Sequence, residues 1–129
     1  MSILHTLLDP IPIPKMVRIR QKFDAAKMDQ IVEVLREQLK QPGAIDTVKP
    51  GQRVAVAVGS RGVANIAAFT RETVRAIKEA GAEPFIVPCM GSHGGATAEG
   101  QTEVLHHLGV SEETVGAPIL SSMEVVKID

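Results

Sequence analysis

Apolar positions along this chain change spacing several times, and each spacing predicts a different element. Between Met16 and Phe23 they alternate, with Val17, Ile19 and Phe23 on one side and Arg18, Arg20 and Lys22 on the other. That period predicts a half-exposed strand at or near a sheet edge. Pro10, Pro12 and Pro14 lead into it as an extended arm, because proline lacks an amide donor and fixes φ. From Asp24, a good N-cap, Met28, Ile31, Val32, Leu35 and Leu39 follow at helical spacing until Pro42 and Gly43 stop the run. A polar connection with Pro50-Gly51 as its turn then leads to Val54-Ala55-Val56-Ala57-Val58, apolar at every position. Such a run predicts a central parallel strand covered on both faces.

The pattern then repeats as two β-α units. Gly59 to Gly62 breaks the first strand, and a helix starts between Gly62 and Asn65. Ile66, Phe69, Thr73, Ile77 and Ala80 form its stripe, and Gly81 is its C′ residue. Glu83 to Pro88 is the next strand, and a glycine-rich turn connects it to a helix capped by Thr97, carrying Val104, Leu105 and Leu108 and ending at Gly109. Ser111 with Glu112 and Glu113 predicts one short capped turn closing at Gly116, and Met123 to Ile128 reads as a last strand. Residues 1–129 are therefore expected to form a single α/β domain. Its architecture is expected to be a three-layer, mainly parallel, Rossmann-like sheet with helices on both faces and room for one non-parallel edge strand at Val17. A right-handed crossover would put the turns after Val58 and Pro88 on the same carboxyl edge, so that Ser60, Arg61 and His93 share a crevice.

Composition narrows the partners. The chain has 129 residues and a net charge of −1, from 14 Lys and Arg against 15 Asp and Glu, which gives no electrostatic footprint for nucleic acid or an anionic membrane. Three Phe and no Trp or Tyr offer no platform for stacking bases. The single cysteine, Cys89, cannot close an internal disulfide and no zinc-type spacing is present, which fits a reducing, cytoplasmic setting. Ile3 to Leu8 is apolar but lacks a basic flank and a cleavage site, so a soluble start is expected. The absence of a closing helix after Ile128 suggests the N-terminal part of a longer protein.

Chemistry concentrates in the two turns. Cys89 to Gln101 displays His93, the side chain there that titrates near neutrality, among Gly91, Ser92, Gly94 and Gly95. Gly59-Ser60-Arg61-Gly62 adds a guanidinium fork suited to a carboxylate or phosphate. Neither turn contains a dinucleotide or P-loop template, but glycine-rich turns opening helices present free amides to an anion. Ser60 and Ser92 lie outside any G-x-S-x-G context, and no acid lies nearby in sequence to orient His93, which counts against a serine hydrolase. His106 and His107 are adjacent, so on a helix they diverge by about 100° and cannot chelate one metal together. No residue of this chain is assigned as a metal ligand.

Taken together, Val58 to Gly62 and Met90 to Gln101 resemble the N-terminal domain of the nickel-dependent lactate racemase family, in its less characterised branch. The likeness runs from about Lys15 to the end of the chain. It implies an isomerase that racemises or epimerises a small 2-hydroxy acid by hydride transfer with a nickel pincer nucleotide. Oxidation to the keto acid and re-reduction avoids abstracting a weakly acidic α-proton. The protein then supplies a base for the hydroxyl and a cation for the carboxylate. By this resemblance His93 is a proton-transfer histidine, and Arg61, with Ser60, binds the substrate. Gly59, Gly62, Gly91, Ser92, Gly94 and Gly95 line the cofactor or an anion. The racemases carry an acidic residue three positions before that arginine, where this chain has Val58. Their second histidine, cofactor-bearing lysine and nickel-binding histidine lie beyond the matching stretch, so the 129 residues alone are expected to be inactive, working as a homo-oligomer or with a C-terminal part. The rival expectations are a non-enzymatic anion- or nucleotide-binding module using the same turns, and a split subunit that works with another chain.

Overall fold

Two short apolar runs separated by a helix pair side by side, and helices pack against one face of that pair. The computed structural model describes residues 11–12, 15–24, 27–125 and 127. In order, the elements are α1 (Ile31–Leu39), a 3-10 turn at Ile45–Thr47, β1 (Arg53–Val58), α2 (Ile66–Glu79), β2 (Glu83–Pro88), a second 3-10 turn at His93–Ala96, α3 (Ala98–His107) and α4 (Glu112–Val115). The α/β class holds: β1 and β2 are parallel, in register from Arg53↔Glu83 to Val58↔Pro88.

Only one face of this sheet is covered by the described residues. Val58 and Ile86 belong to a core with Val74, Met90, Leu105, Val110, Val115 and Ala117, closed by α2, α3 and α4. Ile86, Leu105 and Val110 are fully buried, each worth roughly 1.5–3 kcal/mol of apolar transfer. On the opposite face Ala55 and Ala57 are exposed, Phe85 and Val87 are half-buried, and the Arg53 guanidinium lies 5.0 Å from the Phe85 ring centre. The expectation of a central β1 covered on both faces is thus corrected: burial alternates along it, and its outer edge has no strand partner among the described residues. Alanine extends an apolar run without demanding burial, which is why the pattern overstated the cover.

β2 is the strand with neighbours on both sides. Ile86 pairs with Ile119 in a parallel bridge, its amide donating to Pro118 O at 2.8 Å and its carbonyl accepting from the Leu120 amide at 2.8 Å. The last strand expected at Met123–Ile128 is not formed by 123–125 or 127, and Val126 and Ile128 lie outside the described residues. The pairing segment sits earlier because Pro118 has no amide to lose and Ile119 follows the buried Ala117.

Two N-terminal expectations are also corrected. Residues 15–24 form no strand, and Val17, Ile19 and Phe23 are 87, 88 and 75 % exposed. Alternation specifies what a strand would bury, not that a neighbour is there to bury it. Helix α1 begins at Ile31 rather than after Asp24, with Gln30 as an N-cap that makes no side-chain cap bond, and Met28 stays outside it. The apolar piece at Ile3–Leu8 and most of the Pro10–Pro14 arm lie outside the described residues.

Local signals elsewhere account for the observed ends. Thr97 Oγ1 accepts from the Gly100 amide to cap α3, Ser111 and Thr114 form a capping box on α4, and Gly81, Gly109 and Gly116 follow their helices with left-handed φ. The buried stripe of α2 is Thr70, Val74 and Ile77, rotated from the expected one. Thr70 is tolerated there because its hydroxyl donates to Ile66 O at 2.8 Å.

Glu72 is buried on the flank of α2 that meets α1. Arg36 Nε lies 2.8 Å from it, Arg75 Nε 3.0 Å and Arg71 Nε 3.9 Å. The Arg36 hydrogen bond, against the penalty of burial, holds the Glu72 carboxyl below the usual carboxylate range. A depressed acid stabilises the fold at neutral pH, and that contribution fades as pH falls through its lowered titration range. Glu72→Gln should therefore cost about 1–3 kcal/mol at neutral pH. Thermal melts between neutral and acid pH should show a flatter stability curve for the variant, and parallel curves would remove Glu72 from the acid response.

Among the described residues no helix is long and apolar enough to cross a membrane.

Candidate functional site

Parallel pairing puts the ends of β1 and β2 next to each other, so the turns that follow them are neighbours. The ladder runs one step past the strands, with the Cys89 amide donating to Val58 O at 2.9 Å. Beyond it lies an open crevice of about 490 Å³, lined by Gly59, Ser60, Arg61, Val63 and Cys89 to His93. Ser60, Arg61 and His93 thus share one crevice, as the two β-α units predict.

The turn carrying His93 is built tightly. Its amide donates to Met90 O at 3.2 Å, and buried Met90 anchors the loop in the core. Gln101, 4 % exposed on α3, donates through Nε2 to Gly91 O at 2.8 Å. Gly94 has φ +63° and lies against the backbone of Gly100: a Cβ on Gly94 would sit 2.5 Å from the Gln101 amide, and one on Gly100 would overlap the Gly94 carbonyl. Thr97 Oγ1 closes the turn by donating to Gly94 O at 3.1 Å. Gly94 is thereby tied to the packing of turn on helix, whereas Gly62, Gly91 and Gly95 face open space. Sequence reasoning passed over Gln101 and Gly100. The available signals were a polar residue four before buried Leu105 on the helix, and a glycine inside a helix six residues after another glycine.

Ser60 Oγ lies 2.6 Å from His93 Nδ1, with both residues half-buried. Among the described residues His93 Nε2 has no hydrogen-bond partner and the Arg61 guanidinium has no ion pair. Ser92 and Cys89 are exposed. No carboxylate lines the crevice, and Arg61 is its one permanent charge among the described residues. The arrangement suits an anion beside Arg61 and a proton acceptor or donor at Nε2. It also lacks the acid that would orient a hydrolase histidine, since the Nδ1 position is held by a hydroxyl.

A cleft of about 510 Å³ between α1 and α2 is slightly larger, but Arg75, which lines it, pairs with Glu72 and Glu79, and Arg36 with Glu72. Of these pairs Arg36–Glu72 links the two helices, and the Arg75 pairs lie within α2. No group of three His, Cys, Asp or Glu side chains that could hold a metal occurs among the described residues.

Compared with protein-family models, curated proteins and solved structures, the chain matches none. What fold and site define directly is an α/β protein with a crevice at the carboxyl ends of two parallel strands, lined by Arg61 and by no carboxylate among the described residues.

Proposed function

We propose that this crevice is the proton-transfer and carboxylate-binding part of a racemase or epimerase of 2-hydroxy acids. The observation that carries the reading is the shared position of Arg61, whose guanidinium has no ion pair among the described residues, and His93, whose Nε2 has no hydrogen-bond partner among them. Arg61 would hold the substrate carboxylate through paired N–H donors. His93 Nε2 would take the hydroxyl proton as the carbinol becomes a carbonyl, and return it when the carbonyl is reduced. The resemblance assigns hydride transfer to a nickel pincer nucleotide. The described residues offer no ligand set for nickel, so no step through it is derived from them.

The test is interconversion of stereoisomers. A protein containing this chain, expressed in cells that make the nickel cofactor, should convert one enantiomer of a short 2-hydroxy acid into the other, followed by chiral chromatography. Failure across a panel of 2-hydroxy acids with the cofactor loaded would overturn it.

Arg61 has its own prediction. Calorimetric titration of the chain with lactate should show Arg61→Ala weakening binding by roughly 10- to 100-fold, the worth of a charge-assisted hydrogen-bonded contact. Equal affinities would remove Arg61 from the site. Sulfate binding as tightly as lactate would favour the simpler anion-binding module.

A further inference from the structure

We infer that Ser60 is a positioning residue for His93, occupying Nδ1 so that Nε2 is the one ring nitrogen through which His93 exchanges protons. This refines the proposed function and departs from the resemblance, which placed Ser60 among the substrate contacts, and its bearing on catalysis rests on that function. The contact itself does not.

An imidazole has two nitrogens, and a protein that uses it must choose between them. Here the choice is made by the junction of the two turns. Ser60 follows β1 by two residues, His93 opens the 3-10 turn after β2, and their side chains meet at 2.6 Å. That spacing is within the range of a direct hydrogen bond from a hydroxyl and leaves no room for water between them. No other protein group is bonded to Nδ1, and none to Nε2, among the described residues.

A hydroxyl in this place differs from a carboxylate in one respect. A carboxylate only accepts, so it holds the ring with the proton on Nδ1. A serine hydroxyl donates to bare Nδ1 or accepts from Nδ1–H by rotating about one bond. With Nδ1–H donating to Ser60 Oγ, Nε2 is bare and takes a proton; the imidazolium that results keeps the same Nδ1–H bond and gives the proton back from Nε2. With Nδ1 bare and Ser60 donating, Nε2–H is a donor toward the crevice. A reaction that must run from both stereoisomers needs a group that serves as acid and as base from one fixed nitrogen, and the Ser60 hydroxyl satisfies both states without moving the ring.

The experiment is a long-range proton–nitrogen correlation spectrum of the chain labelled with 15N-histidine, recorded well above the ordinary imidazole titration range. In the unsubstituted protein the His93 nitrogens should show a hydrogen-bonded Nδ1, with shifts displaced from those of an exposed imidazole. In Ser60→Ala both should move to the averaged positions of the free ring, and Ser60→Thr should restore the displaced ones. Identical His93 spectra for the unsubstituted protein and Ser60→Ala would overturn the inference. In the cofactor-loaded protein, Ser60→Ala should lower kcat by roughly tenfold or more, as loss of an orienting partner does, with KM unchanged. A raised KM at unchanged kcat would make Ser60 a substrate ligand instead. The spectra need no substrate, so displaced His93 shifts in a protein that racemises nothing would retire the racemase reading and leave the positioning role standing.

Discussion

On the proposed function, alanine in place of His93 should lower kcat for 2-hydroxy-acid racemisation by roughly 10²- to 10⁴-fold, the usual contribution of a positioned acid or base. The fold should survive. His93 is half-buried and outside the apolar core, and the side-chain hydrogen bond lost is the one to Ser60. Chiral chromatography of the reaction mixture measures the first effect, and a thermal melt within a few degrees of the unsubstituted protein establishes the second. Unchanged turnover would reduce His93 to a bystander. A collapsed melt would show instead that the turn depends on the imidazole for its structure.

The second large effect is expected at Gly100→Ala. In an ordinary helix interior this exchange stabilises by roughly 0.5–1 kcal/mol, because alanine loses less backbone freedom on folding. Here the added methyl would lie 2.8 Å from Gly94 C and 2.8 Å from Thr97 Oγ1, besides overlapping the Gly94 carbonyl, and most of these are backbone atoms that cannot rotate away. Overpacking of this kind costs typically 1–3 kcal/mol or more, so the clash wins over propensity. The variant should melt several degrees lower and lose the Ser60–His93 contact, seen as altered His93 nitrogen shifts. Gly95→Ala is the control: its φ is +67° but open space surrounds it, so the cost is limited to about 1–2 kcal/mol of left-handed strain. A Gly100→Ala variant more stable than the parent would refute the account of that contact.

The parts of the fold written in local chemistry were legible in the sequence. Thr97 and Ser111 as caps, and Gly81, Gly109 and Gly116 as left-handed helix ends, need no distant partner to act, and all occupy the expected places. The convergence of Ser60, Arg61 and His93 was legible for a different reason, since successive parallel β-α units leave no other edge for both turns. What failed depended on neighbours. The alternation from Val17 to Phe23 describes a strand that the described residues do not pair, and Ala55 and Ala57 look buried only while every apolar residue counts equally. Thr70 and Glu72 are buried because an Ile66 carbonyl and an Arg36 guanidinium happen to meet them, which no periodicity reveals. Likewise Ser60 read as a ligand for something outside the chain, because its partner is 33 residues away.

The register of β1 on β2 sets the tolerance of the whole crevice. Ser60 and His93 hang from strands matched Val58↔Pro88, and their 2.6 Å contact inherits whatever error that ladder carries. One step of slippage moves a turn by about 3.3 Å and turns every strand side chain to the other face, more than a hydrogen bond survives. The imidazole therefore works as a gauge of strand alignment: its nitrogen signals report on sheet pairing as directly as on chemistry. Substitutions at Val56 or Ile86, neither of which lines the crevice, become a way to detune the site without touching it.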